Sequence, residues 1–201
     1  MDTYKGRDDR RAAAAMTAEP EQQPPGRSMA AELWDWTKSI AVALFIVIML
    51  NMFVFNLSTV KGHSMEPTLR EKEWLYVNKI ALLIGHPKRG DVVILKDPDM
   101  RSAERQYLVK RVVAIPGDKV EIKGGKLFVN GEPVAEPYTD IKIEDGDRSP
   151  VVVEEGRYFV MGDNRHQGAS KDSRIFGTVE EKLIQGRADF ILWPPRQMGG
   201  L

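Results

Sequence analysis

The chain has no cysteine, no net charge, with 29 Lys+Arg against 29 Asp+Glu, and only three histidines in 201 residues. Each lack removes a class of protein. Without cysteine there is no disulfide scaffold, zinc ribbon, iron–sulfur cluster or thiol nucleophile, although the redox compartment stays open. Zero net charge argues against a binder that relies on phosphate attraction, so no nucleic-acid partner is expected. His63, His86 and His166 form no His-x-x-x-His pair, and neither a metal nor a cofactor is expected. What is present is 42% hydrophobic residues, enough for a core, so any disorder is local.

That disorder is expected at the start. Met1 to Ser28 hold an Ala run, the stretch Pro20-Glu-Gln-Gln-Pro-Pro25-Gly26 and mixed charges without a sustained apolar face. Ile40 to Leu57 then gives eighteen residues in which only Asn51 and Asn56 are polar. At ~1.5 Å per residue this crosses most of a ~30 Å hydrocarbon layer. Trp34, Trp36 and Lys38 suit its boundary. The preceding tail is too long for a cleavable signal peptide and no Ala-x-Ala follows, so the anchor is expected to stay. The reading is a disordered tail over 1–32, a membrane helix over 33–57 and a folded domain over 58–201. Arg27 and Lys38 on one flank and Lys61, Arg70 and Lys72 on the other give no clear orientation.

From Ser58 the pattern is β. Trp74 to Lys79, Asp91 to Lys96, Tyr107 to Ile115, Lys119 to Lys123, Lys126 to Asn130, Val151 to Val153, Arg157 to Met161 and Ala188 to Trp193 are short runs rich in Val, Ile and aromatics. Gly124-Gly125 and Asn130-Gly131 read as tight turns needing positive φ. A mostly β, compact antiparallel domain is expected.

Three stretches hold candidate chemistry. Gly62-His63-Ser64-Met65-Glu66-Pro67-Thr68-Leu69 places a Ser in a constrained setting, as either a nucleophile or an ordinary turn. His63 adjoins Ser64, so in an extended segment its side chain points the other way and makes a poor base. His86 and His166 read as exposed loop residues. In Tyr107-Leu-Val-Lys110-Arg111-Val-Val-Ala114, alternation puts Lys110 on one face with Leu108, Val112 and Ala114, and Arg111 on the other with Val109 and Val113. Either the Lys110 stem covers apolar surface while its ammonium reaches water, or the amine is held dry and neutral as a base for serine. Met161-Gly162-Asp163-Asn164-Arg165 through Ser170-Lys171-Asp172-Ser173-Arg174 lacks a phosphate-loop pattern and suits ion pairs that pin a loop.

In this order, the anchor, GHSMEPTL, YLVKRVVAIPGD and GDNR…SKDSR resemble the bacterial type I signal peptidases. Only about forty residues separate the Lys motif from the last one, as in the shorter form of the family, so no large cap domain is expected. The resemblance implies partly barrel-like, coiled antiparallel sheets behind one transmembrane helix. It implies a membrane-bound serine endopeptidase that removes signal peptides from exported preproteins after small residues at −1 and −3. By motif position Ser64 is the nucleophile, neutral Lys110 the general base, and Ser170 the residue that orients the amine. Asp172 pairs with Arg174, and Asp163 with Arg111. The Ser64 N–H supplies the oxyanion site. Some members carry a Ser two positions earlier, whereas this chain has Gly62, leaving backbone there or water as second donor. His166-Gln-Gly-Ala169 is two residues longer than usual before Ser170. Val60, Met65, Leu69 and Val109 are candidates for the small-residue pockets, with core packing as the alternative for each. The resemblance further implies signal peptides, membrane lipid and proximity to the translocation channel as surroundings, with the N-terminus cytoplasmic and the catalytic domain extracytoplasmic. The rivals are a silent membrane-tethered peptide-binding module and a self-cleaving Ser/Lys repressor-type peptidase.

Overall fold

The computed structural model describes residues 28–99 and 107–201. Most of the expected tail, up to residue 27, lies outside them. The chain divides into two units, Met1–Leu44 and Phe45–Leu201. The described part of the first is helical from Met29, the start of α1 (Met29–Phe53). The helix therefore begins before the expected residue 33 and ends before the expected 57. Its early start follows from Ser28, whose Oγ accepts the Ala31 N–H at 3.3 Å, and from the good helix formers that follow. Its early end has a tertiary cause: Phe55–Thr59 pair as a strand. No residue of α1 is buried against protein.

The second unit holds twelve strands: β1 (Phe55–Thr59), β2 (Trp74–Asn78), β3 (Val92–Lys96), β4 (Tyr107–Ala114), β5 (Lys119–Lys123), β6 (Lys126–Val129), β7 (Glu132–Pro133), β8 (Arg148–Val152), β9 (Arg157–Met161), β10 (Val179–Glu180), β11 (Ile184–Trp193) and β12 (Gly199–Gly200). Two short helices, α2 (Ile80–Leu83) and α3 (Ser173–Phe176), complete it. The larger sheet runs β1-β2-β11-β3-β4-β9-β10, with β12 on β11, and curls into a half-barrel. The smaller runs β7-β6-β5-β8. Gly124 and Gly125 (φ 58° and 72°) turn β5 into β6, and Asn130 and Gly131 (φ 56° and 85°) turn β6 into β7, as the sequence predicts.

Register decides what surrounds the catalytic strand. Lys110 lies opposite Val93, and Leu108 opposite Leu95, on a face that also buries Val112, Tyr158 and Val160. Val109 lies opposite Ile94 and packs with Val60, Met65, Leu75 and Val77. The alternation fails at its end: a register shift between Val112 and Ala114 delivers both Val113 and Ala114 to the core of the smaller sheet. Ala114 thus leaves the company of Lys110 that strict alternation assigns it.

One edge is left open. β9 pairs with β4 only from Arg111 onward, while β3 pairs with it from Tyr107. One side of residues 107–110 therefore carries no partner strand among the described residues, and β1 ends the sheet order.

Candidate active site

Ser64 stands at the start of a tight turn, half-buried, where Glu66 N–H donates to His63 O at 3.2 Å and Leu69 N–H to Met65 O at 2.9 Å. The chain enters through Gly62 at φ 84°, a conformation that costs a side-chain-bearing residue free energy. The Ser64 N–H has no hydrogen-bond partner among the described residues and is available to an oxyanion. Gly62 departs from expectation as a second donor, because its N–H is directed at Glu71 Oε1 at 3.4 Å. His63 projects outward onto Glu66 Oε1, 2.8 Å away, so the neighbouring histidine is no base for Ser64.

Lys110 Nζ lies 2.7 Å from Ser64 Oγ and donates to Val109 O at 2.8 Å. The side chain is 1% exposed, which decides between the two readings of a lysine on an apolar strand face: the amine is buried. Burial disfavours the ammonium form. The amine is held by Val109 O where Ser170 was expected. The Ser170 hydroxyl is buried without a hydrogen bond of good geometry, although close enough to Asp172 to help keep that carboxyl ionised.

The loop from Gly162 to Arg174 is fixed by buried ion pairs. Arg111 meets Asp163 through two bonds, Nε to Oδ1 at 2.9 Å and Nη2 to Oδ2 at 2.7 Å, while its Nη1 donates to Gly90 O at 2.7 Å. Thr68, on the turn after Ser64, donates to Asp163 Oδ2 at 2.6 Å. Asp172 accepts from Arg174 Nε at 2.9 Å and Nη2 at 2.7 Å, and from Gly162 N–H at 3.0 Å. Burial pushes the Asp172 carboxyl up, but Arg174, the Gly162 N–H and Ser170 outweigh it and hold it below the usual carboxylate range. Removing one partner of such a pair costs about 3–5 kcal/mol, since the other is left buried and charged.

Four further residues escape sequence reading. Asn164 locks the loop onto the nucleophile turn, N–H to Ser64 O at 3.1 Å and Nδ2 to His63 O at 3.0 Å. Arg165, 0% exposed, donates to Gly162 O at 2.7 Å and clasps Glu136 through both terminal nitrogens. Tyr138 lies under the Arg111 guanidinium, 4.1 Å from ring centre. Glu136 and Tyr138 sit in an irregular segment between β7 and β8 that has no periodic signal, so only the fold reveals them.

A cleft of about 820 Å³ passes over Ser64 and Lys110. Residues 57–65 form one wall and 107–110 the other, with Ile94, Ala169 and Lys171 completing it. Of the predicted pocket residues, Val60, Met65 and Val109 line this cleft. Leu69 does not: it is fully buried in the core with Leu75 and Val77. His86, on Glu181, and His166, between Asp140 and Glu144, also stand outside the cleft lining. No cluster suited to a metal ion occurs among the described residues.

The family model described as "Signal peptidase, peptidase S26" matches residues 33–193. Signal peptidase I of Bacillus licheniformis is 38% identical over 172 residues, covering 81% of this chain and 89% of that protein. Signal peptidase IB of Staphylococcus aureus (strain Mu50) is 38% identical over 183 residues, covering 83% and 92%. A crystal structure of a signal peptidase I from Enterococcus faecalis V583 aligns with a TM-score of 0.42 and 27% identity, covering 51% of this chain and 97% of that one.

Proposed function

The chain belongs to the S26 signal peptidases and is a signal-peptide-cleaving serine peptidase; from that premise we propose that Ser64 and Lys110 carry out the cleavage. The observation that supports the pair is the 2.7 Å between Lys110 Nζ and Ser64 Oγ, with the amine buried. The two rival readings, a silent tethered module and a self-cleaving repressor, are not favoured by these relatives.

The chemistry runs in two halves. Neutral Lys110 Nζ takes the Ser64 hydroxyl proton as Oγ attacks the carbonyl carbon of the −1 residue. The developing oxyanion is stabilised by the Ser64 N–H. When the C–N bond breaks, the Lys110 ammonium returns its proton to the departing amine, leaving the signal peptide as an ester on Ser64. Water then gives a proton to Nζ, attacks the ester and releases the peptide, and Ser64 Oγ recovers its proton from the ammonium. Asp163, Arg111, Asp172 and Arg174 keep the loop in place.

Substrate enters as an extended strand between two unpaired edges, residues 58–62 and 107–110, both of which line the cleft. Val60, Met65 and Val109 leave shallow apolar room and so favour small residues at −1 and −3. The unburied apolar α1 supports a membrane anchor, with the N-terminus cytoplasmic, the catalytic unit extracytoplasmic and the translocation channel close by.

The test incubates the detergent-solubilised, lipid-supplemented protein with a peptide carrying Ala at −3 and −1, beside Ser64→Ala, and maps products by mass. Cleavage after the −1 Ala, lost in the variant and rising with pH as the amine deprotonates, is the expected result. Cleavage that survives Ser64→Ala, or a flat pH profile, would overturn the dyad.

A further inference from the structure

The dyad and the two strand edges leave part of the cleft unused. Ala169 and Lys171 line it too, and both come from the loop between Arg165 and Arg174. That loop is bonded to the Ser64 end of the first wall, through Asn164 on His63 O and Ser64 O. The wall begins at Leu57 and passes Val60 before it reaches Ser64, so the acyl half of a substrate occupies the Leu57 side. Ala169 stands beyond Ser64, where the leaving half must lie. Lys171 Nζ is itself tied to Asp97 Oδ2 at 2.8 Å, just past the end of β3.

The loop is also built to hold its shape. It is the stretch that runs two residues longer than the resembling motif, His166-Gln167-Gly168-Ala169. Two consecutive carboxylates of the segment between β7 and β8 clasp the extra length. Glu144 Oε2 accepts the Gln167 N–H at 3.0 Å, and Asp145 Oδ1 accepts the Gly168 N–H at 2.9 Å. In return Glu144 N–H donates to Arg165 O at 3.1 Å, and Asp145 Oδ2 receives Arg174 Nη1. Charged acceptors on backbone N–H groups make stronger bonds than neutral ones. A longer loop fastened this way presents a fixed surface.

We propose that Ala169 is a specificity residue for the leaving side, limiting the size of the substrate's first residue after the scissile bond, and that Glu144 and Asp145 are positioning residues that set it there. This rests on the peptidase reading above. The methyl of Ala169 leaves room for a small residue and crowds a large one, and the clasp keeps the wall from yielding.

The test compares kcat/KM for two peptides, identical except for Ala or Leu at +1, each with Ala at −3 and −1. The readout is the ratio of the two, which a merely structural role would not move. Ala169→Leu is expected to raise the preference for Ala by about tenfold, within the range that a few methylenes give in an apolar site. Ala169→Gly, which removes one methyl and spares the fold, is expected to lower the preference, and Asp145→Ala to lower it as well by loosening the clasp. If the parent cleaves both peptides and all three variants keep its ratio, the specificity assignment is wrong while the peptidase reading stands. If the parent cleaves neither peptide, the peptidase reading fails first. A shifted ratio in the Ala169 variants with none in Asp145→Ala would overturn the clasp alone.

Discussion

Gly162 governs the catalytic centre by having no side chain. A Cβ there would lie 2.3 Å from Ser64 O and 2.3 Å from Ser170 Oγ, well inside contact distance. One neighbour is backbone, so relief must come from moving the nucleophile turn or the loop away from each other. Gly162→Ala is expected to fold, since the strands on either side are untouched, but to lose about 10²-fold in kcat, the scale of effect for an ångström of misplacement at a reacting group. Circular dichroism checks the fold and peptide cleavage the loss; near-parental kcat would mean that the loop and turn are not held in contact. The sequence displays Ser64 and Lys110 because a motif and a strand alternation mark them. It does not display Gly162 or Asn164 in their roles, because a close approach between two loops leaves no trace in spacing. Leu69 errs the other way, an apolar residue beside the nucleophile that faces the core.

At the scale of elements, strands were legible where they were long and apolar on one face. β5 and β9 have the bounds the sequence predicts, Lys119–Lys123 and Arg157–Met161. β7, β10 and β12 have two residues each and exist only by pairing, which local composition does not encode. β1 was hidden inside the apolar run, since a strand edge and a membrane helix draw on the same residues. α3 is four residues long, too short to stand alone, and depends on Asp172, its N-cap, which accepts the Arg174 N–H at 3.1 Å. The Asp172 carboxyl has a folded pKa below its unfolded value, so its contribution to stability is present above the unfolded value of about 3.9 and is lost as pH falls through the folded one. Asp172→Asn should therefore melt below the parent at neutral pH, with the gap narrowing below about pH 4 as the parent's own carboxyl takes up a proton. Thermal melts from pH 7 to 2.5 read this directly; a gap that stays constant would show that the ionised carboxylate is not what holds α3 and the loop.

The whole molecule has to reconcile an apolar helix that touches no core with a water-soluble β unit. α1 has 25 residues and none is buried. At ~1.5 Å per residue it is about 37 Å long, enough for a ~30 Å hydrocarbon layer with a turn to spare. Its exit is capped: Lys79 Nζ donates to Asn51 O and Met52 O, each at 3.1 Å, and Lys79 N–H to Val54 O at 3.0 Å. A cation on the last carbonyls suits the negative end of the helix dipole and satisfies groups that lipid cannot. Flanking charge gives no direction, so orientation rests on the activity, because signal peptides are cut after export. Two fractionations separate the parts of this argument. Alkaline carbonate should leave the protein in the membrane pellet, whereas a peripheral β unit would be released. Protease added to spheroplasts should then degrade residues 58–201, and inside-out vesicles should shield them. Protection in spheroplasts, with digestion in inverted vesicles, would put the catalytic unit on the cytoplasmic side, where an exported signal peptide no longer passes, and would overturn the proposed topology while leaving the Ser64 and Lys110 chemistry intact.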